Sequence, residues 1–170
     1  MQRISYRKEF EKFLNSPEID QQLIQAGELI KGAKRLFFIG NGGSNSICSH
    51  MMEDFAKIAG YPTFAFSDAA LITCYANDYG YEAAIAEWLK IHFQKEDLLV
   101  AISSSGNSAN ILNGAAVAKE RGGKLITLSG FKPDNQLRSK GDLNIYTAIE
   151  SYGIVECLHQ TLLHVILDEL

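Results

Sequence analysis

Asp97-Leu-Leu-Val-Ala-Ile-Ser-Ser-Ser-Gly-Asn-Ser-Ala109 is the stretch that decides the fold. Leu98 to Ile102 is an unbroken apolar run, which predicts a strand buried on both faces, as in a parallel sheet covered by helices. Serines, an asparagine and Gly106 end it abruptly, and Ala109 to Ala118 continues with good helix formers. Strand, polar turn and helix start in that order crowd Ser103, Ser104, Ser105 and Ser108 at the carboxyl end of a strand, where open α/β sheets hold ligands. Backbone N–H groups at a helix N-terminus, with the positive end of the helix dipole, favour an anion there. Helix capping alone needs one such residue. This turn has five polar ones around Gly106, so the pattern points to a phosphate-type ligand.

Upstream, Leu36-Phe37-Phe38-Ile39 predicts the first strand, and Gly40-Asn41-Gly42-Gly43-Ser44 follows at once. Small residues there let the backbone approach a ligand closely or turn with positive φ. Position 45 is Asn, so the dinucleotide fingerprint fails, and no Gly-Lys-Ser/Thr is present for a Walker A loop. No nucleotide cofactor is expected. A helix from about Ser44 to Ala59 carries His50, Glu53 and Asp54. Tyr61 to Phe66 is read as a short second strand ending in Ser67-Asp68, Ala69 to Ala76 as a helix, Asn77 to Tyr81 as a loop, and Glu82 to His92 as a helix. Downstream, helix Ala109 to Arg121 stops at Gly122-Gly123, and Lys124 to Leu128 is the fourth strand. Asp142 to Tyr146 is the fifth, its partial alternation marking a sheet edge. Val155 to Leu170 is a strongly apolar helix with Glu156, His159 and His164. Two helices in residues 1–33, separated at Ser16-Pro17-Glu18, precede the first strand and are expected to pack against another subunit. The whole predicts an α/β protein: a doubly wound five-stranded parallel sheet flanked by helices, with extra N-terminal helices.

The 170 residues, 46% hydrophobic, suit one domain over 1–170, comprising a helical segment 1–33 and an α/β core 34–170. A net charge of -4 offers no electrostatic reason for nucleic acid or an anionic membrane as partner. No apolar stretch approaches the roughly 20 residues of a membrane span, and Met1 to Lys8 lacks a signal-peptide core, so a cytoplasmic location is expected. Cys48, Cys74 and Cys157 are odd in number and lack Cys-x-x-Cys spacing, so they are expected as reduced, buried small residues.

The two turn motifs, Gly40 to Ser44 and Ser103 to Asn110, together with Ser67-Asp68 and Ala76-Asn77-Asp78-Tyr79-Gly80, resemble the sugar isomerase (SIS) domain, in its phosphoheptose isomerase branch, over about residues 10–170. The resemblance implies a five-stranded parallel sheet and a homotetramer with shared active sites. It also implies conversion of sedoheptulose 7-phosphate to D-glycero-D-manno-heptose 7-phosphate. It assigns Asn41, Ser44 and Asp78 as substrate contacts and Ser103, Ser104, Ser105 and Ser108 as the phosphate cradle. Asp54 stands where the family has its catalytic glutamate, and His164 matches its second catalytic residue. Gly153 replaces a usual aspartate, and the segment after Asp54 lacks a family arginine. A non-catalytic SIS module, like the replication-initiator-binding relative, is the alternative; an isomerase for another phosphosugar is a third.

Aldose-ketose isomerisation moves a proton between neighbouring carbons through an enediol, which requires a base at carbon and an acid at oxygen. Asp54 and His164 would supply them. His50 and Asp54 are i and i+4 on one helix, and Glu156 and His164 are i and i+8 on another. Two imidazoles and two carboxylates make a set suited to zinc. The resemblance implies the same four positions for the metal. His92 and His159 read as structural, the latter oriented by Glu156, and Tyr79 and Tyr81 are candidates for lining the sugar pocket.

Overall fold

In a computed structural model describing residues 5–170, the chain runs α1 (Tyr6–Leu14), α2 (Pro17–Lys31), β1 (Leu36–Ile39), α3 (Gly43–Lys57), β2 (Thr63–Ala65), α4 (Ala69–Tyr79), α5 (Tyr81–His92), β3 (Leu98–Ser103), α6 (Ala109–Glu120), β4 (Lys124–Gly130), a 3-10 turn (Leu137–Ser139), β5 (Leu143–Thr147) and α7 (Tyr152–Asp168). The first four residues of the expected 1–33 helical segment, and of the N-terminus read for a signal peptide, lie outside the described residues. The strands form a parallel sheet in the order β2-β1-β3-β4-β5. Among the described residues no helix is long and apolar enough to cross a membrane.

The apolar runs of β1 and β3 are continuous because alternate side chains enter two different cores. Leu36, Phe38, Val100 and Ile102 pack with α2, α3 and α7 on one face, while Phe37, Ile39, Leu99 and Ala101 pack with α5 and α6 on the other. Each of these side chains except that of Ala101, fully buried, contributes roughly 1.5–3 kcal/mol. Strand β5 behaves as an edge: Leu143, Ile145 and Thr147 are buried, whereas Asn144 and Tyr146 are only half-buried. Arg35 and the buried Asp97 tie the starts of β1 and β3 together, with Nε to Oδ1 at 2.9 Å. That ion pair fixes the amino ends of the two strands and leaves their carboxyl ends for a site.

Three local expectations are corrected. Asn77, Asp78 and Tyr79 are not loop residues: α4 continues to Tyr79 and stops at Gly80, whose φ of 80° suits glycine. The second strand is only three residues long, because Tyr61-Pro62 serves as its lead-in. Cys48 is fully buried, which pushes its thiol far up, but Cys74 and Cys157 are exposed on the outer sides of α4 and α7. Helix α2 sends Ile19, Leu23, Ala26 and Ile30 into the core, and α1 buries no residue.

Candidate active site

The strand order reverses between β1 and β3, so the crevice at their carboxyl ends is the topological switch point of the sheet, where open α/β folds bind ligands. Both motif loops open into it. After β1, the chain doubles back so tightly that a Cβ on Gly40 would come within 2.7 Å of the backbone of Ser44. Gly42, at φ 54°, then caps α3, and its carbonyl accepts from Asn45 and Ser46 N–H. The N–H groups of Gly43 and Ser44, in the first turn, have no intrahelical acceptor and face the crevice end of the sheet.

After β3, the serine turn closes on itself. Gly106 N–H donates to Ser103 O at 2.9 Å and to Ser103 Oγ at 3.2 Å, and Ser103 Oγ donates to Ser108 Oγ at 3.3 Å. Ser108 is the N-cap of α6 but makes no side-chain cap bond; its carbonyl alone accepts from Ile111 and Leu112. Ser104 Oγ is buried with no partner. The hydroxyls are therefore not consumed by capping, and with the free first-turn N–H groups of α6 they make an anion cradle without a fixed charge.

Asn110 and Asn135, given no role by sequence reasoning, help hold both loops. Asn41 and Asn110 exchange amide hydrogen bonds at 2.9 and 2.8 Å, and the Tyr81 hydroxyl donates to Asn41 Oδ1 at 2.8 Å. They line a small cavity of about 40 Å³ with Gly40, Asn45 and Phe66. Asn135 lies against Gly106, which has φ 65°, and donates to the Gly130 and Lys132 carbonyls. Asn107 and Gly106 accept from the backbone of Gln136 and Leu137. The only advance signal for these braces was the polar composition of residues 107–110 and 132–135. Tyr81 thus bonds to the first motif loop, while Tyr79 is exposed with its ring tilted against Tyr75 within α4. Asp78, also exposed, meets Asn77 and Cys74 of its own helix.

Helices α3 and α7 pack side by side and bring the titratable residues together. His50 Nε2 is 3.0 Å from Asp54 Oδ2, His164 Nδ1 is 3.9 Å from the same oxygen, and the two imidazoles meet edge-on with centroids 5.1 Å apart. Donor atoms of these three residues lie within 4.8 Å of one another, a group that could hold a metal ion. Glu156, expected with them, falls outside this trio: its carboxylate lies against Gly43, where a Cβ would collide with it. The reason is the pitch of α7, which places residues 156 and 164 two turns apart, about 12 Å along the axis. Between them, Gln160 touches His164.

His159 is fully buried, and burial pushes its pKa down to about 4. Its Nε2 lies 3.4 Å from Ser129 O, so a backbone carbonyl orients it rather than Glu156. His92 is exposed at the end of α5 beside Trp88. A Cβ on Gly153 would meet only the hydroxyl end of the exposed Tyr6 side chain of α1. A second hollow, of about 280 Å³, lies between α1, α2 and β5 and is lined by neither motif loop.

Comparison with known proteins agrees with this fold. The model of the SIS domain matches residues 6–130. Phosphoheptose isomerase from Proteus mirabilis is 30% identical over 160 residues, covering 91% of this chain and 83% of its own length. That from Fusobacterium nucleatum is 30% identical over 176 residues, 96% of this chain and 90% of its own. The solved phosphoheptose isomerase from Neisseria gonorrhoeae superposes with a TM-score of 0.82 at 25% identity, over 96% of this chain and 89% of that one.

Proposed function

The chain belongs to the SIS domain family and to its phosphoheptose isomerase branch, and on that premise we propose that it interconverts sedoheptulose 7-phosphate and D-glycero-D-manno-heptose 7-phosphate. The observation that carries the reading is the serine turn, whose Ser104 Oγ is buried without a partner and whose Ser108 hydroxyl leaves its N-cap unbonded. Those groups, with Ser103, Ser105 and the first N–H groups of α6, hold the phosphate. Asn41 and Ser44 on the neighbouring loop then contact the sugar, with Asn41 held by Asn110 and Tyr81.

A phosphate fixed at one end of a seven-carbon chain leaves the carbonyl end to be positioned, and α3 and α7 present Asp54 and His164 for it. Asp54 takes the proton from C1 of the ketose, the electron pair forms the enediol, and the proton returns at C2 to give the aldose. His164 donates to the carbonyl oxygen as charge develops there and recovers the proton from the neighbouring hydroxyl. The bond between His50 Nε2 and Asp54 Oδ2 aims the shorter aspartate side chain.

The donor chemistry of His50, Asp54 and His164, two nitrogens and a carboxylate with room for further ligands, fits zinc. Bound there, zinc would polarise the oxygens of the sugar.

The active unit is a homotetramer with shared sites. Helix α4, Ala69 to Tyr79, is rich in apolar residues yet buries none, and α1 buries none either. Asp78 is exposed at the end of helix α4 and bonds only within it.

Incubating the protein with sedoheptulose 7-phosphate, with and without zinc, and following the aldose by NMR tests the reading. Turnover that disappears in both Asp54→Asn and His164→Ala supports it. Phosphate-dependent binding with no turnover in any form favours the non-catalytic module instead.

A further inference from the structure

The corner between α4 and α5 is a single glycine: Gly80, at φ 80° and ψ 150°, ends one helix and starts the next. Tyr81 follows as the first residue of α5, and its hydroxyl reaches the loop after β1, 2.8 Å from Asn41 Oδ1. Asn41 and Asn110 face one another there as paired amides. Turning both amides over would preserve the pairing, so the pair alone does not say which atoms are oxygens. A backbone group does. Ile111 N–H lies 3.0 Å from Asn110 Oδ1, besides reaching Ser108 O at 3.1 Å. An N–H can only donate, so the Asn110 atom beside it is the oxygen, and the Asn110 amide nitrogen donates to Asn41 at 2.8 Å. The Asn41 atom receiving that bond is therefore its oxygen, and Asn41 Nδ2 donates back to Asn110 Oδ1 at 2.9 Å. A carboxamide oxygen only accepts, which makes the Tyr81 hydroxyl the donor in its own bond.

The bonds thus take one sense, set by the backbone of α6 and passed through Asn110 and Asn41 to Tyr81. Both lone pairs of Asn41 Oδ1 are spent, one on Asn110 and one on Tyr81. The second N–H of Asn41 is what remains. Asn110 is buried, whereas Asn41 is half-buried at the mouth of the β1/β3 crevice, so that N–H is the group the first loop's amide offers a ligand.

Resting on the reading that Asn41 contacts the sugar, we propose that Tyr81 is a positioning residue: by occupying the second lone pair of Asn41 Oδ1, its hydroxyl holds the amide so that the crevice meets only a donor, and the loop selects a sugar oxygen that accepts. Tyr81 acts through Asn41 and touches no substrate in this role. An amide held by two partners keeps its orientation before substrate arrives, as precise binding requires.

A double-variant cycle of Tyr81→Phe and Asn41→Ala tests this. Tyr81→Phe removes one hydroxyl and leaves the ring. With sedoheptulose 7-phosphate it should raise KM about fivefold, the worth of one hydrogen bond, and change kcat less than about twofold. In the Asn41→Ala background the same change should alter KM less than about twofold, because nothing remains for the hydroxyl to hold. A wild-type KM in Tyr81→Phe overturns the proposal. So do effects that multiply in the double variant, which would make Tyr81 a direct sugar contact. The same cycle on the urea unfolding equilibrium, read without substrate at one protein concentration, should show a coupling of about fivefold between the two positions. Independent effects there overturn the proposal whatever the protein turns over. That coupling in a protein with no turnover of the heptose keeps Tyr81 as the residue that sets Asn41 and fails only the assignment of the substrate.

Discussion

Gly106→Ala probes how the serine turn is held. At φ 65° an alanine costs about 1–2 kcal/mol. Its Cβ would also fall inside contact distance of the Asn135 side chain, which is buried and cannot yield freely. Asn135 donates to Gly130 O at 3.2 Å and Lys132 O at 2.8 Å and accepts from Arg138 N–H at 3.0 Å. Displacing it forfeits three hydrogen bonds at about 1 kcal/mol each, so the variant should lose about 4–5 kcal/mol. Asn135→Gly removes the same bonds and adds chain freedom, about 4 kcal/mol in all. The three bonds can be lost only once. The double variant should therefore be destabilised by about 5–6 kcal/mol rather than the additive 8–9, a coupling of about 3. Urea unfolding of the four proteins at one protein concentration measures it. Additivity within about 0.5 kcal/mol would refute the claim that Asn135 props the turn through Gly106.

Other consequences are as specific. His159 has its pKa lowered from 6.5 to about 4 by burial, so the unfolded chain binds a proton that the folded one refuses. Stability is full above pH 6.5 and falls by on the order of 3 kcal/mol as pH drops towards 4; urea unfolding of His159→Gln should be flatter in that window, and parallel curves would count against it. Asn110→Ala leaves the Asn41 amide half-satisfied, costing about 1–3 kcal/mol, and should raise KM for the heptose phosphate more than it lowers kcat, which steady-state kinetics resolves. Asp54→Asn should lower kcat by about 10²- to 10⁴-fold with its melting temperature nearly intact; a variant of near-normal kcat would remove Asp54 from the chemistry.

Much of the fold was legible because buried parallel strands write themselves as apolar runs and their turns as small polar residues. Leu36 to Ile39 and Leu98 to Ser103 are strands within a residue of expectation. The polar end of α4 was not legible, since Asn77 and Asp78 resemble loop residues and their helix is held by Gly80 and by packing on α5. In the site, the i and i+4 spacing of His50 and Asp54 and the pairing with His164 could be read ahead. The place of Glu156 could not, because helix phase puts it on the correct face while axial rise carries it to Gly43. Gln160 was within reach of the same reasoning, lying one turn from each. The braces Asn110 and Asn135 depend on tertiary contacts that no local pattern encodes.

The central claim is enediol chemistry on a phosphosugar in the β1/β3 crevice, and its most direct test is reaction of sedoheptulose 7-phosphate with the protein in D₂O, followed by proton and carbon NMR. The account predicts heptose 7-phosphate carrying solvent deuterium at C2, formed by the wild type and not by Asp54→Asn. A ketose that persists unchanged with stoichiometric protein and zinc, or an aldose formed equally by Asp54→Asn, would contradict it.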